Sequence, residues 1–429
     1  MAASYLRRGM SGPATFSLYA RALPPERGFL VAAGLESCLE FLESFSFEEH
    51  DLSYLRSIGF DSETLERFRR LRFTGEIWAV PEGRIVYANE PVLEVTAPIA
   101  EAQLVETYLL NQVTLHTTVA SKAARYRIAA EGTDLVDFAF RRTHGSEAAL
   151  AVARASAIVG FVATSNVEAA RRYGLRASGT MAHSFVESFA TEREAFEAFA
   201  RDFPERTTFL VDTYDTLNGV RTAIDVIREL GMHDSLGVRL DSGDLADLSR
   251  SARQLLDAAG LGHVRIVASG GLDEHEVAAL VRGGAQVDGY GIGTQMGVSA
   301  DAPYIDSVYK LVMYDGRPVL KLSADKATLP APKQVFRGAS GDTIALRDEP
   351  APDGAEPMLE QVMRNGRRLG PPASIGAMRA AFDADLAGAP TGAKQLRDPD
   401  AVVARSSPAL EALAAHTREG ALRRAGVVS

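Results

Sequence analysis

The spacing of hydrophobic and polar positions changes rhythm several times along this chain. Residues 1–70 read mostly as helix, with one strand-like run at Ala14–Tyr19. Gly28–Glu43 opens with an apolar run and continues at helical spacing. Asp51–Ile58 and Ser62–Arg70 read as short helices, with Asp51 and Asp61 or Ser62 as caps, because a short oxygen-bearing side chain satisfies the first free amides of a helix. From Phe73 to Ala97 the pattern turns to β-type runs: Ile77–Val80, Arg84–Tyr87 and Val92–Val95, broken by Pro81-Glu82-Gly83 and Asn89-Glu90-Pro91. A small antiparallel unit is expected there. Pro98–Ala130 then reads as a long, broadly amphipathic helical stretch that bridges two domains.

A strand–helix alternation begins at Leu135. Apolar runs at Leu135–Phe138, before Thr164, and at Thr208–Val211, Leu236–Leu240, Val264–Val267 and Gln286–Tyr290 read as strands. Between them Thr191–Arg201, Thr222–Leu230, Leu248–Ala259 and Asp273–Arg282 read as helices. This alternation predicts a parallel α/β sheet or barrel. The apolar runs stop in polar or glycine chemistry: Arg141-Arg142, Thr164-Ser165-Asn166, His183, Asp212-Thr213-Tyr214-Asp215, Asp241-Ser242-Gly243-Asp244, Ser269-Gly270-Gly271 and Gly291-Ile292-Gly293-Thr294. In a parallel barrel such ends open on one face, where active sites sit. A barrel is preferred to an open sheet, because no Gly-rich dinucleotide turn opens the series.

After the barrel, Ser307–Tyr314, Asp315-Gly316 and Arg317–Leu322 read as a hairpin. A second strand pair is expected around Gln334–Arg337 and Thr343–Leu346, then a strand at Met358–Met363 and a helix at Ile375–Leu386. The expected division is a helical and β-rich region over 1–130, an α/β catalytic barrel over 131–306, and a region over 307–429 whose hairpins complete the first, followed by a helical tail.

Composition narrows the function. With 46% hydrophobic and 24% charged residues, the chain can build a large core without disulfides or metals. Cys38 stands alone, which fits a reducing compartment and a cytoplasmic protein. No run approaches the ~20 apolar residues of a membrane helix, and Met1–Arg8 has no apolar core of signal-peptide length. A net charge of −10 argues against nucleic-acid binding but leaves room for a locally positive cleft. Four of the six lysines (Lys310, Lys321, Lys326 and Lys333) fall close together. They read either as a solvated hairpin or as a rim of cations over a phosphate site.

The strand ends carry the candidate chemistry. Phe138 and Arg141 place an aromatic ring and a planar guanidinium just past a strand; they suit a flat anionic ligand, or else a buried ring beside surface arginines. Asp212 and Asp241 are the first residues past their strands and are candidates for ribose, metal-bound phosphate or a histidine, whereas Asp215 and Asp244 also fit helix capping. Gly270, Gly271, Gly291 and Gly293 could cradle a phosphate or simply form turns. Of eight histidines, His183 is distinguished by its small neighbours and the helix start at Ser184; the other seven read as packing or surface residues.

These runs resemble the nicotinate phosphoribosyltransferase family. The resemblance is carried by Asp137–Gly145, Thr164–Val167, Gly179–Val186, Val211–Asn218, Arg239–Asp244, Gly289–Tyr304 and Lys321–Ser323. It extends in order from about Met1 to Gly370, and its motifs are specific between Asp137 and Lys333. It implies a type II phosphoribosyltransferase fold: an incomplete α/β barrel packed on a smaller β-rich α+β domain. It further implies a cytoplasmic homodimer with shared active sites. The reaction would join nicotinate to 5-phosphoribosyl 1-pyrophosphate (PRPP), with Mg2+ and with ATP hydrolysed alongside. By resemblance, Phe138 stacks on the pyridine and Arg141 contacts its carboxylate. Arg239 and Asp241 contact ribose and phosphate, and Gly270, Gly271, Gly291, Gly293 and Thr294 carry the 5-phosphate. His183 becomes a phosphohistidine, with Asp212 holding the opposite ring nitrogen.

Ser165 bears on the substrate. Nicotinamide phosphoribosyltransferases resemble this family but carry an aspartate at the aligned position, which would accept from a carboxamide and repel a carboxylate. Members of the family usually begin with an Asp-x-Tyr-x-x-Thr-Met run, and Met1–Tyr5 aligns with its end, so the tyrosine that completes the pyridine sandwich from a neighbouring subunit is not among these residues. Nicotinamide as substrate, a quinolinate enzyme, and a truncated relative of low or no activity are the alternatives.

Overall fold

The computed structural model describes residues 1–427 apart from 235 and 324–327. The chain divides into two compact units, one of residues 1–118 and 304–429, the other of residues 119–303. The division falls inside the helix Glu106–Ala129. No helix among the described residues is long and apolar enough to cross a membrane.

The unit of residues 119–303 is built on a parallel sheet. Its strand order is Ala163–Thr164, Asp134–Asp137, Gly289–Ile292, Arg265–Ala268, Gly237–Leu240 and Thr208–Leu210. Among the described residues the two outermost strands do not pair with each other, so the barrel is incomplete. Helices follow the strands because their sequences cap and bury well. Asp215 starts the helix Thr216–Leu230 by accepting from the Asn218 amide at 2.9 Å, and Gly231 ends it in the left-handed conformation. Its Val220, Ala223, Ile224 and Ile227 are all buried. Asp244 caps Leu245–Ala258 in the same way, so both residues serve the helix starts.

The other unit holds a seven-stranded sheet centred on Pro13–Ala20 and Pro91–Pro98, a four-stranded sheet and a two-stranded ribbon. The strand Ser307–Tyr314 joins the large sheet beside Pro13–Ala20. Asp315 and Gly316 both have positive φ, 49° and 72°, which matches the right-handed twist of the hairpin they close. The hairpin of Lys333–Gly338 and Gly341–Leu346 forms part of the separate four-stranded sheet.

Several local expectations are corrected. Asp51 is not the cap of its helix but lies inside Glu49–Ser57, where it accepts from the Glu48 amide at 2.9 Å. The stretch after Pro98 is two helices, Ile99–Leu104 and Glu106–Ala129. The last barrel strand is Gly289–Ile292 rather than Gln286–Tyr290, because Asp288 spends both its amide and its carboxylate on the Ile266 backbone before the strand begins. His183 follows an irregular segment and opens the helix His183–Glu187, so no strand ends there. Lys333 is buried, with Nζ 3.2 Å from Glu94 Oε1 and donating to the Ala331 carbonyl at 2.7 Å, so it belongs to no exposed rim. Lys326 lies outside the described residues.

Candidate active site

One pocket, about 490 Å³ in volume, opens at the ends of the parallel strands. It is lined by Phe138, Phe140, Arg141, Ser165, Gly179 to Ala182, and Arg239. Asp137, next to Phe138 in the chain, braces two of the segments that line it. Oδ1 accepts from the Ala139 amide at 2.8 Å, and Oδ2 accepts from the Thr164 hydroxyl at 2.7 Å. Burial pushes the Asp137 carboxyl up in pKa, and these bonds only partly offset that. The Ser165 amide donates to the Asp137 carbonyl at 2.8 Å, and the Phe138 amide to the Ile292 carbonyl at 2.7 Å. Two neighbouring strand ends are thereby locked around the pocket. Arg239 forms a wall, its guanidinium carbon 5.7 Å from the centre of the Phe138 ring.

A polar network continues from Arg239 to His183. The Arg239 Nε donates to Ser269 Oγ at 2.7 Å, one terminal nitrogen to Thr180 Oγ1 at 2.9 Å, and the other pairs with Asp241 Oδ1. Ser269 Oγ also donates to Asp241 Oδ1 at 2.5 Å. Burial alone would raise the Asp241 carboxyl; the Ser269 hydroxyl, Arg239 and His183 outweigh it and hold the pKa below its ordinary value. His183 Nε2 lies 3.9 Å from Asp241 Oδ2 and 4.0 Å from Asp212 Oδ1. Its Nδ1 meets Thr213 Oγ1 at 3.2 Å.

Asp212 is held by its other oxygen, which accepts from the Asp241 amide at 3.1 Å and the Ser242 hydroxyl at 2.7 Å. Its side chain is 1% exposed, and Oδ1 has no hydrogen-bond partner among the described residues. A buried carboxylate oxygen left without a donor is costly unless a cation or a protonated ring answers it.

Models of known families match this chain twice: the nicotinate phosphoribosyltransferase N-terminal domain over residues 1–114, and the nicotinate phosphoribosyltransferase family over residues 133–331. The chain belongs to the nicotinate phosphoribosyltransferase family. It is 50% identical over 376 residues to a nicotinate phosphoribosyltransferase of Mycobacterium tuberculosis, covering 86% of this chain and 81% of that protein. It is 43% identical over 370 residues to that of Bacillus subtilis, covering 82% and 75%. The crystal structure of the human nicotinic acid phosphoribosyltransferase superposes with a TM-score of 0.87 at 30% identity, covering 97% of this chain and 98% of that one. A nicotinate-nucleotide pyrophosphorylase from Pyrococcus furiosus shares the fold, with a TM-score of 0.75 at 24% identity, covering 90% and 92%.

Within this nicotinate phosphoribosyltransferase fold, the candidate residues fall into three groups. Phe138, Arg141 and Ser165 share the pocket, and Arg239 joins them there. Asp212, Asp241 and His183 form the carboxylate–imidazole cluster. The glycines divide. Gly270 and Gly271 are exposed with φ of +111° and +85°, and Gly293 and Thr294 precede and open a short helix. Gly291 is instead buried inside a strand against the Phe138 ring, which gives it a packing role. Thr180, Thr213 and Ser269 also belong to the site, as hydroxyls that bridge its side chains. A hydroxyl that bridges two functional side chains has no signature until the strands are laid side by side.

Proposed function

We propose that this protein joins nicotinate to PRPP, forming nicotinate mononucleotide and pyrophosphate in NAD salvage, and that His183 couples the reaction to ATP hydrolysis. The pocket carries the substrate assignment. It offers an aromatic face at Phe138, two guanidinium groups at Arg141 and Arg239 and a hydroxyl at Ser165, and none of its lining side chains is acidic. That lining fits a flat ring bearing a carboxylate.

In the transfer, the bond from the anomeric carbon to pyrophosphate breaks and a bond to the pyridine nitrogen forms. The protein's part is positioning and charge stabilisation. Asp212 and Asp241 carry the oxygens that fit Mg2+, one of them buried without a donor. When bound with the pyrophosphate, the ion would neutralise its charge as it departs.

For phosphoryl transfer, a proton on Nε2 faces the two carboxylates and leaves the lone pair on Nδ1. Thr213 Oγ1 must then turn aside. Nδ1 attacks the γ-phosphorus of ATP, ADP departs, and water later releases phosphate from the ring. The added charge beside Asp241 would reorganise its contacts with Arg239, a route from ATP to substrate binding.

The test is a panel of pyridines with PRPP and Mg2+, with and without ATP. Nicotinate mononucleotide is expected, in higher yield with ATP. Product from nicotinamide or quinolinate but not from nicotinate would overturn the assignment.

A further inference from the structure

The geometry points to Thr180 as a positioning residue that ties the pyridine pocket to His183. This rests on the function proposed above. All three nitrogens of Arg239 have protein partners, and the partners differ in kind. Asp241 and Ser269 sit directly past the strands Gly237–Leu240 and Arg265–Ala268, in the stable frame of the sheet. Thr180 lies on the irregular segment that ends at His183.

That segment is anchored at both ends. Ala177 bridges to Thr164, and the Ser178 amide donates to the Thr164 carbonyl at 2.9 Å. The helix His183–Glu187 takes over at the far end. Between these anchors Gly179 and Ala182 are exposed and Met181 is buried. The Thr180 hydroxyl accepts from Arg239 at 2.9 Å and donates to the Met181 carbonyl at 3.2 Å. One hydroxyl therefore joins a wall of the pocket to the backbone of Met181, two residues before His183.

A carboxylate entering the pocket competes for the same Arg239 nitrogen that holds Thr180. Its arrival loosens or re-aims that bond, and the shift reaches His183 along residues 180–183. A second path runs through Asp241, whose Oδ2 lies 3.9 Å from His183 Nε2. Pyridine occupancy and imidazole orientation are thus linked through Arg239, and Thr180 carries the covalent branch of that link.

The experiment compares the full-length wild type with Thr180→Val, which keeps the branched shape, and Thr180→Ser, which keeps the hydroxyl. Two quantities are read: KM for nicotinate, and ATP consumed per mononucleotide formed. For Thr180→Val, KM for nicotinate should fall several-fold, because the carboxylate no longer has to displace the Thr180 hydroxyl from Arg239, and ATP consumed per product should rise several-fold, because occupancy of the pocket no longer reaches His183 along this segment. Thr180→Ser should return both to wild type. A change in packing alone would lower kcat with the ratio unmoved. An unchanged ratio in Thr180→Val therefore overturns the proposal, even if KM changes. If the wild type itself makes no product from nicotinate, or makes it without consuming ATP, the proposed function fails in that arm and this inference falls with it.

Discussion

A β-carbon at Gly291 would lie 2.6 Å from Cε2 of the Phe138 ring. The aromatic wall of the pocket is therefore seated directly on the backbone of the neighbouring strand, which bonds to the strand preceding Phe138. The space is available only because residue 291 has no side chain.

Gly291→Ala should displace the Phe138 ring. Overpacking of this kind costs about 1–3 kcal/mol. Denaturant unfolding should show that loss, and KM for nicotinate should rise more than KM for PRPP. Equal changes in both constants would separate Phe138 from pyridine binding.

The two glycines past the strand Arg265–Ala268 should respond differently to alanine. Gly270 has φ +111°, and a β-carbon there would lie 2.0 Å from the Asp241 carbonyl oxygen. Gly271 has φ +85° but nothing within 4 Å. Gly270→Ala should combine backbone strain with a clash and cost about 3 kcal/mol or more, against about 1 kcal/mol for Gly271→Ala. Unfolding midpoints of the two variants measure the difference; equal losses would contradict the geometry at Gly270.

Sequence periodicity made most of this architecture legible. The alternation after Leu135 marked the parallel strands, and the polar ends of those strands marked where chemistry would gather. The pattern sets the last strand too early, at Gln286–Tyr290, because glycines in a strand look like a turn, when the reason for Gly291 is the ring of Phe138 just past the neighbouring strand. His183 looked like a strand end because its segment is short and polar, yet a helix starts there. The roles of Thr180, Thr213 and Ser269 depend on distances across 30 or more residues, which no local pattern encodes. Arg239 lines the pocket beside Phe138, a proximity that the sequence pattern does not encode.

Away from the pocket, Glu90 should give stability a dependence on pH. Burial pushes its pKa from 4.5 up to about 8; nearby Asp342 adds to the rise, while the Tyr87 amide and Arg337 oppose it. The folded chain therefore keeps a proton that the unfolded chain releases, so stability falls as pH rises from about 4.5 to about 8. Glu90→Gln retains an acceptor for the Tyr87 amide and a donor for Asp342. Thermal unfolding of the variant should be flatter across that window; an unchanged slope would remove Glu90 as its source.

Ser165→Asp should weaken nicotinate use by about a hundredfold, since a carboxylate in the pocket opposes the substrate's own. Nicotinamide should lose far less. The ratio of kcat/KM for the two pyridines is the measure, and a variant with the wild-type ratio would show that Ser165 does not face the substituent.

The phosphoryl step at His183 is tested most directly with ATP labelled at the γ-phosphate. Wild type should take up label that is stable in alkali and lost in acid, mapping to His183, while His183→Ala should take up none. Label retained in His183→Ala, or wild type that turns over ATP and nicotinate without ever carrying label, would contradict the account.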